Sequence, residues 1–389
     1  MSVTAARGFV AAGVAAGIKA SGALDLSLVT TDDGRPGTAA GVFTSNKATA
    51  APVIVTRRHL ATTGGRAAGV VVSSGNANAA TGAQGIADAE AMCRTVAEGI
   101  GSHAADVLVC STGLIGIPMP IDVIVAGIPG LVACRAAGSD GGRLAAEAMM
   151  TTDTHAKQSV RTAGPITVGG MAKGAAMLAP NMATMLAVIT TDAELSPADL
   201  EVHLAAAVRD SFNALSVDGC TSTNDTVLVL ASGRAGPPDP TAFTEAIAGV
   251  CADLAGQMAG DAEGATKVVR VRVTGATDDA AAARGARRVA ESQLVKCSMY
   301  GEDPYWGRVV SELGSAGIEY DMDRVTIAYG GVTVARQGIA ASHDGAAVRA
   351  HLAGREVEVH ADLGLGHGTA VILTNDLTPG YIDENMRTS

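Results

Sequence analysis

The sequence predicts an α/β (α+β) protein built as a layered α/β sandwich. Strand-like runs of Val, Ile and Leu end in polar or glycine-rich loops, and alanine-rich amphipathic stretches end at glycine. These two kinds of segment alternate along most of the chain. Because each strand or helix must bury its apolar face against another element, this alternation favours stacked layers of sheets and helices.

In the first half of the chain, two strands and one helix have clear signals. Residues 70–78, VVVSSGNAN, are typical of a strand that enters a polar loop. Residues 85–101, GIADAEAMCRTVAEGIG, have the apolar spacing of an amphipathic helix that ends at Gly101. Residues 106–113, DVLVCSTG, predict a second strand that ends in a glycine loop.

In the second half, the same alternation continues. The spacing predicts helices over 197–213 and 240–261, and strands over 225–233 and 266–276. After about residue 277 the chain becomes more charged, with apolar and polar residues alternating in DRVTIAYGGVTVA and REVEVHADLG. We therefore expect a main domain over 1–277 and a smaller C-terminal α/β lobe over 278–389, whose sheet is half exposed.

Composition and charge favour a small-molecule enzyme. The net charge is −11, and the Lys and Arg residues are dispersed, which argues against binding to nucleic acid or to an anionic membrane. The longest apolar stretch, 123–134, is interrupted by Gly127, Pro129 and Gly130, so no membrane span is expected. The segment after Arg7 is mostly Ala and Gly, which does not favour a signal peptide, and we expect a cytoplasmic protein.

Cysteine and histidine spacing gives no sign of a metal site or cofactor. The six cysteines contain no CxxC pair, and the eight histidines contain no HxxxH or HExxH pattern. This usage is typical of reduced cytosolic thiols. GDAEGATK (260–267) lacks the GxxxxGK[ST] spacing of a phosphate loop, and GLGHG (364–368) does not match GxGxxG.

Two short segments contain candidate catalytic residues. Thr184 stands after Ala183 and ahead of the strand-like MLAVIT, so it is either a β-branched strand residue or a nucleophile released by cleavage before it. In the second case, the freed α-amine would serve as the base. CSTGLIG (110–116) is either a plain turn or a loop whose backbone N–H groups and Thr112 hydroxyl stabilise an oxyanion.

Nine segments in order resemble the ornithine acetyltransferase family, the glutamate N-acetyltransferases of the cyclic arginine pathway. The resemblance extends from Gly8 to the C-terminus. The segments are AGVFTSNKATAAPV (40–53), GNANAATG (75–82), STGLIG (111–116), MTTDT (150–154), MAKGAAMLAPNMATMLAVITTDA (171–193), FNALSVDGCTSTNDT (212–226), DAEGATK (261–267), LVKCSMYGEDPYWGRV (294–309) and DLTPGYIDEN (376–385).

The resemblance implies self-cleavage between Ala183 and Thr184, which gives an α chain of residues 1–183 and a β chain of residues 184–389. It implies an oxyanion hole at Thr112 and Gly113. The residues that it assigns to substrate binding are Thr154, Lys173, Thr184, Glu263, Asn385 and Ser389.

The implied reaction moves an acetyl group from N2-acetyl-L-ornithine to L-glutamate through acetyl-Thr184, with ping-pong kinetics and no cofactor. Lys173 suits the α-carboxylate of the substrate and Glu263 suits the side-chain ammonium of ornithine, with swapped or purely structural roles as the alternatives. The two cleavage products are expected to form an α2β2 heterotetramer. Some members of the family also use acetyl-CoA, and the residues leave that second activity open, although we expect little of it here.

Two other functions remain open at this point. A related self-processing amidohydrolase or aminopeptidase would pass the acyl group to water instead of an amine. An unprocessed binding protein would keep the scaffold without catalysis. The set Lys173, Glu263 and Asn385 favours an amino-acid acceptor and therefore transfer.

Overall fold

Strands and helices alternate in the structure as the sequence predicts. The protein is described by a computed structural model, which covers residues 2–177 and 185–386. These residues divide into a larger unit, the chain up to Asn213 with Thr221–Met258, and a smaller unit, Ala214–Cys220 with the chain from Ala259.

The larger unit contains two sheets and six helices among its described residues. Its strands are β1 (Phe9–Val14), β2 (Leu26–Thr31), β3 (Gly37–Phe43), β4 (Arg66–Ala67), β5 (Gly69–Asn76), β6 (Val107–Leu114), β7 (Lys157–Ala163), β8 (Ile166–Lys173), β9 (Leu186–Thr191) and β10 (Thr226–Ala231). Its helices are α1 (Ala51–Thr63), α2 (Gly82–Ile100), α3 (Ile121–Ala133), α4 (Ser139–Met149), α5 (Pro197–Arg209) and α6 (Pro240–Gly260). Short 3-10 helices are Ala104–Asp106 and Phe212–Ala214.

The two sheets of the larger unit pack face to face. One has the order β1-β2-β5-β6 and the other the order β4-β3-β10-β9-β8-β7. Along β5, Val70 and Val72 pack into the core shared with the second sheet, whereas Val71 faces the helices α2 and α3. This alternation follows from the two-residue period of a strand, and burial on both faces explains why β5 is a continuous apolar run. With α5 against β3 and β10, the layers are helix, sheet, sheet and helix, which confirms the layered α/β sandwich.

The smaller unit contains one sheet with the order β14-β13-β12-β15-β11-β16. Its strands are β11 (Val268–Ala276), β12 (Thr326–Tyr329), β13 (Val332–Arg336), β14 (Ile339–Ala340), β15 (Glu356–Asp362) and β16 (Gly368–Asn375). Its helices are α7 (Asp279–Ala290), α8 (Gln293–Tyr300), α9 (Gly307–Gly314), α10 (Gly345–Leu352) and α11 (Pro379–Asn385), with a 3-10 helix at Met322–Arg324.

The smaller unit begins before the boundary predicted after residue 277. Strand β11 lies inside its sheet, between β15 and β16, so the strand cannot be separated from the unit that it completes. The segment Ala214–Cys220 also belongs there, through a β-bridge between Leu215 and Leu373. Along β11, Arg270 and Arg272 are exposed and the intervening Val271 is buried, so this strand has one exposed and one buried face.

Among the residues that the structure covers, no helix combines the length and the hydrophobicity that a membrane crossing requires.

Candidate active site

The end of strand β6 contains the two predicted oxyanion donors. The Thr112 side chain is buried, whereas Gly113 is exposed. Gly113 has a φ of 133°, and a Cβ on it would lie 2.3 Å from the carbonyl carbon of Gly75 in β5. Only glycine therefore fits at position 113, where the strand turns outward and its backbone becomes accessible.

Lys173, the last residue of β8, lies beside this strand end. Its Nζ donates a hydrogen bond of 3.4 Å to Thr112 Oγ1. Lys173 also pairs with Leu186, the first residue of β9, in the antiparallel ladder. Because the Thr112 oxygen accepts from the ammonium group, its own O–H is left to donate elsewhere. Strand pairing thus places Lys173, which donates to the Thr112 hydroxyl, beside the first residue of β9, the strand that follows Thr184 in the sequence.

A buried carboxylate holds the Lys173 side chain. Asp153 Oδ1 is 2.6 Å from Lys157 Nζ, and Asp153 Oδ2 is 3.9 Å from Lys173 Nζ. The backbone N–H groups of Gly174 and Thr151 donate to the same carboxylate at 2.7 and 3.0 Å. Burial alone would raise the pKa of Asp153, but the two ammonium groups and the Gly174 N–H hold that pKa well below its usual value. Asp153 is therefore a permanent anion that orients Lys173.

The strand that follows the predicted cleavage site is held by a second buried aspartate. The Met185 N–H donates to Asp225 Oδ1 at 3.0 Å, and the Met185 carbonyl accepts from the Thr226 N–H at 3.1 Å. Burial raises the pKa of Asp225 well above its usual value, and the Met185 N–H and the Lys173 charge only partly oppose this effect. The carboxyl is therefore neutral over a wider pH range than an exposed aspartate.

The neighbouring Asn224 connects the two sheets. Its Nδ2 donates to the carbonyl oxygens of Ala77 and Ser111 at 2.6 and 2.8 Å. Ser111 is the residue before Thr112 in β6, and Ala77 directly follows β5. The side chains of Asn224 and Asp225 thus contact the strand that bears the oxyanion donors and the strand that follows Thr184, respectively.

Cys110 is close to this strand end but is not suited to act as a nucleophile. Its side chain is buried in the core between the two sheets. Burial raises the pKa of the Cys110 thiol to about 12, and the Thr226 side chain lowers it only in part. Since the thiolate is the reactive form of cysteine, this thiol is inert at neutral pH.

The remaining predicted site residues lie in several places. Thr154 is exposed, directly after Asp153, and its hydroxyl is 3.2 Å from His155 Nδ1. In the smaller unit, Asn385 Nδ2 donates to Glu263 Oε2 at 2.8 Å, so the structure brings these two predicted residues together. Ala183, Thr184 and Ser389 lie outside the described residues.

Glu263 lines a cavity of about 170 Å³ in the smaller unit. Asp218, Lys296 and Tyr381 also line it, and the Tyr381 hydroxyl donates to Asp218 Oδ2 at 3.2 Å. Burial lowers the pKa of Lys296 to about 8, although the nearby Asp218 and Asp376 carboxylates oppose that shift. The cavity offers several carboxylate oxygens, which suit an alkylammonium group.

Sequence reasoning did not single out Asp153, Asn224 or Asp225. All three lie within the motif segments MTTDT and FNALSVDGCTSTNDT, but the motifs assign no function to them. Their position in the sequence is the signal that could have identified Asn224 and Asp225, because they directly precede a strand in which every residue is buried. Polar side chains at such a strand end need hydrogen-bond partners and are therefore candidates for a built site.

Fold and geometry together define a layered α/β protein with a candidate acyl-transfer site at the ends of β6 and β8. The family model for ArgJ matches residues 10–388. The arginine biosynthesis bifunctional protein ArgJ of Streptomyces coelicolor is 47% identical over 386 residues, which cover 99% of each chain. The protein of the same name from Mycolicibacterium paratuberculosis is 47% identical over 390 residues, covering 98% of this chain and 95% of that relative.

A solved structure of ornithine acetyltransferase with ornithine from Mycobacterium tuberculosis has 46% sequence identity. The alignment covers 46% of this chain and 94% of that chain, at a TM-score of 0.42. The match of the family model and the full-length relatives show that the chain belongs to the ArgJ family, so the family resemblance read from the motifs is confirmed.

Proposed function

We propose that this protein is a self-cleaving acetyltransferase of arginine biosynthesis that moves acetyl from N2-acetyl-L-ornithine to L-glutamate. The observation that carries the proposal is the Thr112 hydroxyl, which accepts from Lys173 beside the strand that follows Thr184. This contact supports acyl transfer, because a hydroxyl that accepts from an ammonium group keeps its own O–H to donate to a developing oxyanion.

Self-cleavage comes first: the Thr184 hydroxyl attacks the Ala183 carbonyl carbon, the peptide C–N bond breaks to free the α-amine of Thr184, and water hydrolyses the resulting ester. That amine then takes the proton of the Thr184 hydroxyl as its oxygen attacks the acetyl carbonyl carbon. The negative charge formed on the carbonyl oxygen is stabilised by the Thr112 O–H and the Gly113 N–H. The carbon–nitrogen bond breaks, ornithine leaves with the proton on its amine, and acetyl-Thr184 remains.

In the next step, a different amine takes the acetyl group from Thr184. The α-amine of glutamate attacks the ester carbonyl of acetyl-Thr184, the same donors stabilise the oxyanion, and the Thr184 oxygen leaves with a proton. N-Acetylglutamate is released and the nucleophile is restored. Donor and acceptor use the site in turn, so initial-rate plots are expected to show ping-pong kinetics.

Substrate recognition is assigned to Thr154, Lys173, Glu263, Asn385 and Ser389. Glu263 is held by Asn385 and lines a cavity with further carboxylates, which supports its role toward the side-chain ammonium of ornithine. Lys173 carries the positive charge that suits an α-carboxylate. Its hydrogen bond to Thr112 supports a second role, the polarisation of the oxyanion donor.

The name of the curated relatives, bifunctional protein, favours a second activity. We propose that acetyl-CoA also serves, at a low level, as an acetyl donor to glutamate. We further propose that the two cleavage products assemble as an α2β2 heterotetramer in the cytoplasm. Light scattering of the purified protein is expected to give the mass of two copies of each chain.

The proposal is tested by cleavage and labelling of the same protein. The native protein is expected to run as two pieces on a denaturing gel, and Thr184→Ala as one piece. N-Acetylornithine with a labelled acetyl group should then label the β chain at Thr184, and added glutamate should release the label as N-acetylglutamate. Unlabelled, uncleaved native protein would indicate a binding protein, and release of labelled acetate without need of glutamate would indicate a hydrolase.

A further inference from the structure

The segment Asn224–Asp225 hydrogen-bonds to strand β6 of the candidate site and to Met185, the residue before β9. Asn224 Nδ2 donates to the Ser111 carbonyl of β6, and Asp225 Oδ1 accepts from the Met185 N–H that precedes β9. Both side chains are buried, with 3% and 0% of their surface exposed, so water does not compete for these bonds. Two adjacent residues therefore fix the residue before Thr112 and the residue after Thr184.

The backbone of this segment is itself held from several sides. The Thr44 N–H donates to the Asp225 carbonyl at 2.9 Å, and the Asn224 N–H donates to Ser222 Oγ at 3.0 Å. Thr226, the next residue, begins β10 and pairs with Leu186 of β9 in the parallel ladder. These contacts fix the backbone that carries the Asn224 and Asp225 side chains.

We propose that Asn224 and Asp225 are positioning residues that set the distance between the Thr184 nucleophile and the oxyanion donors of β6. This inference rests on the proposed function, since it assumes that Thr184 is the nucleophile and that Thr112 and Gly113 stabilise the oxyanion. Neither side chain needs to touch the substrate. Their role is geometric, because an error of about 1 Å in a catalytic arrangement can lower the rate by about 10²-fold.

The hydrogen bond from the Met185 N–H needs only an acceptor oxygen at position 225. Burial raises the pKa of the Asp225 carboxyl and so favours its uncharged form, which accepts this hydrogen bond as well. An amide oxygen in the same place makes an equivalent hydrogen bond, so Asp225→Asn is the conservative replacement. Asp225→Ala and Asn224→Ala remove the contacts without adding others.

The test compares these variants with Thr190→Val. Thr190 is equally buried in β9, and its hydroxyl donates to the Val3 carbonyl at 2.6 Å, so its loss also removes a buried hydrogen bond. Cleavage is followed on denaturing gels during cell-free synthesis. Acetylation of the cleaved fraction by N-acetylornithine is followed by intact mass of the β chain, with rate and half-saturation determined separately.

Asn224→Ala and Asp225→Ala are expected to lower the cleavage rate and the maximal acetylation rate by about 10²-fold, with half-saturation changed less than threefold. Asp225→Asn should recover most of the rate lost in Asp225→Ala, and Thr190→Val should match the native rates. If Asn224→Ala yields no folded protein, Asn224→Ser replaces it with the same expectation.

Alanine variants that cleave and acetylate as fast as Thr190→Val would overturn the positioning role. A higher half-saturation with an unchanged maximal rate would also overturn it, because that pattern indicates substrate binding. If the native protein is neither cleaved nor acetylated, the proposed function fails first, and the positioning role with it.

Discussion

Two buried aspartates of the larger unit have opposite electrostatic surroundings. Asp153 lies against the ammonium groups of Lys157 and Lys173, and its pKa is held well below the usual value. Asp225 accepts the Met185 N–H but has no ammonium group at ion-pair distance among the described residues, and burial raises its pKa. The surroundings thus favour the ionised form of the side chain in one place and its neutral form in the other.

The difference shows that burial alone does not decide what a carboxyl group contributes. A compensated anion stabilises the fold and orients its partners, while an uncompensated carboxyl lowers the stability at any pH at which the unfolded chain would ionise it. Both groups lie next to strands of the candidate site, and each holds one component of it. Asparagine keeps the shape of aspartate but cannot ionise, so this substitution should have opposite effects on stability at the two positions.

The largest effect is expected from Asp153→Asn, which leaves Lys157 and Lys173 without their anion. Breaking a buried ion pair typically costs about 3–5 kcal/mol of the free energy of unfolding. Urea denaturation at pH 7 measures the loss. The contribution of Asp153 to the free energy of unfolding is complete above the unfolded-state pKa of about 4 and is lost as the pH falls toward the lower folded-state pKa. The difference in stability between Asp153→Asn and the native protein should therefore persist down to about pH 4.

The matched control is Asp253→Asn. Asp253 pairs with Arg161 at 2.8 Å, but both side chains are substantially exposed, so this pair is worth less than about 1 kcal/mol. Equal losses in the two variants would mean that the Asp153 cluster is no more important to the fold than a surface ion pair.

An intermediate effect, on the catalytic rate, is expected from Lys173→Met. Loss of the hydrogen bond to Thr112 should lower kcat for acetyl transfer about tenfold, the kinetic equivalent of about 1.4 kcal/mol. Thr112→Ala, which removes the donor itself, provides the upper reference of about 10²–10³-fold. Steady-state kinetics separate the two roles of Lys173, because a pure α-carboxylate contact would raise KM and leave kcat unchanged.

Lys157→Met is the comparison for that experiment. Its ammonium contacts the same aspartate at 2.6 Å and is fully buried, so this variant should lose stability in urea. The fraction that remains folded at low temperature should keep a kcat closer to native than Lys173→Met does. The reverse order of the two kcat values would show that Lys157, not Lys173, supports the oxyanion donor.

The smallest effect is expected from Asp225→Asn, and it has the opposite sign, because this variant should be more stable than the native protein. The folded-state pKa of Asp225 is raised, so the contribution of this group to stability is most favourable below about pH 4 and falls as rising pH ionises the group in the unfolded chain. Asparagine cannot ionise and avoids this loss. At pH 8 the melting temperature of Asp225→Asn should therefore exceed that of the native protein by about 2–4 °C for each kcal/mol recovered. At about pH 4 the two melting temperatures should approach each other. A lower melting temperature at pH 8 would show that the carboxylate form is stabilised.

Much of the fold could be predicted from periodicity. The strand predicted over 106–113 is β6, Val107–Leu114, and the helix predicted over 240–261 is α6, Pro240–Gly260. The stretch 123–134 is less simple, because α3 continues through Pro129 despite the lost N–H. Pro129 lies on the exposed face of α3, where water can bond the carbonyl that it leaves unpaired, while Ile128 and Leu131 are buried.

The candidate site could be predicted only in part. Thr112, Gly113 and Lys173 were identified from motifs, but the motifs do not show that Lys173 donates to Thr112. Asn224 was not identified, since its partners Ala77 and Ser111 lie more than 110 residues away in sequence. Hydrogen bonds between distant strands depend on sheet order and register, and a single sequence does not specify these.

The close approach of Gly75 and Gly113 has a consequence for protein engineering. At 2.3 Å from the Gly75 carbonyl carbon, a side chain at position 113 has no room, and its backbone conformation is one that only glycine adopts readily. A saturation library that randomises the surroundings of Thr112 to change the acyl group should therefore leave both glycines fixed. Diversity is better introduced at Leu114 and Ile115, whose side chains are exposed just beyond the turn.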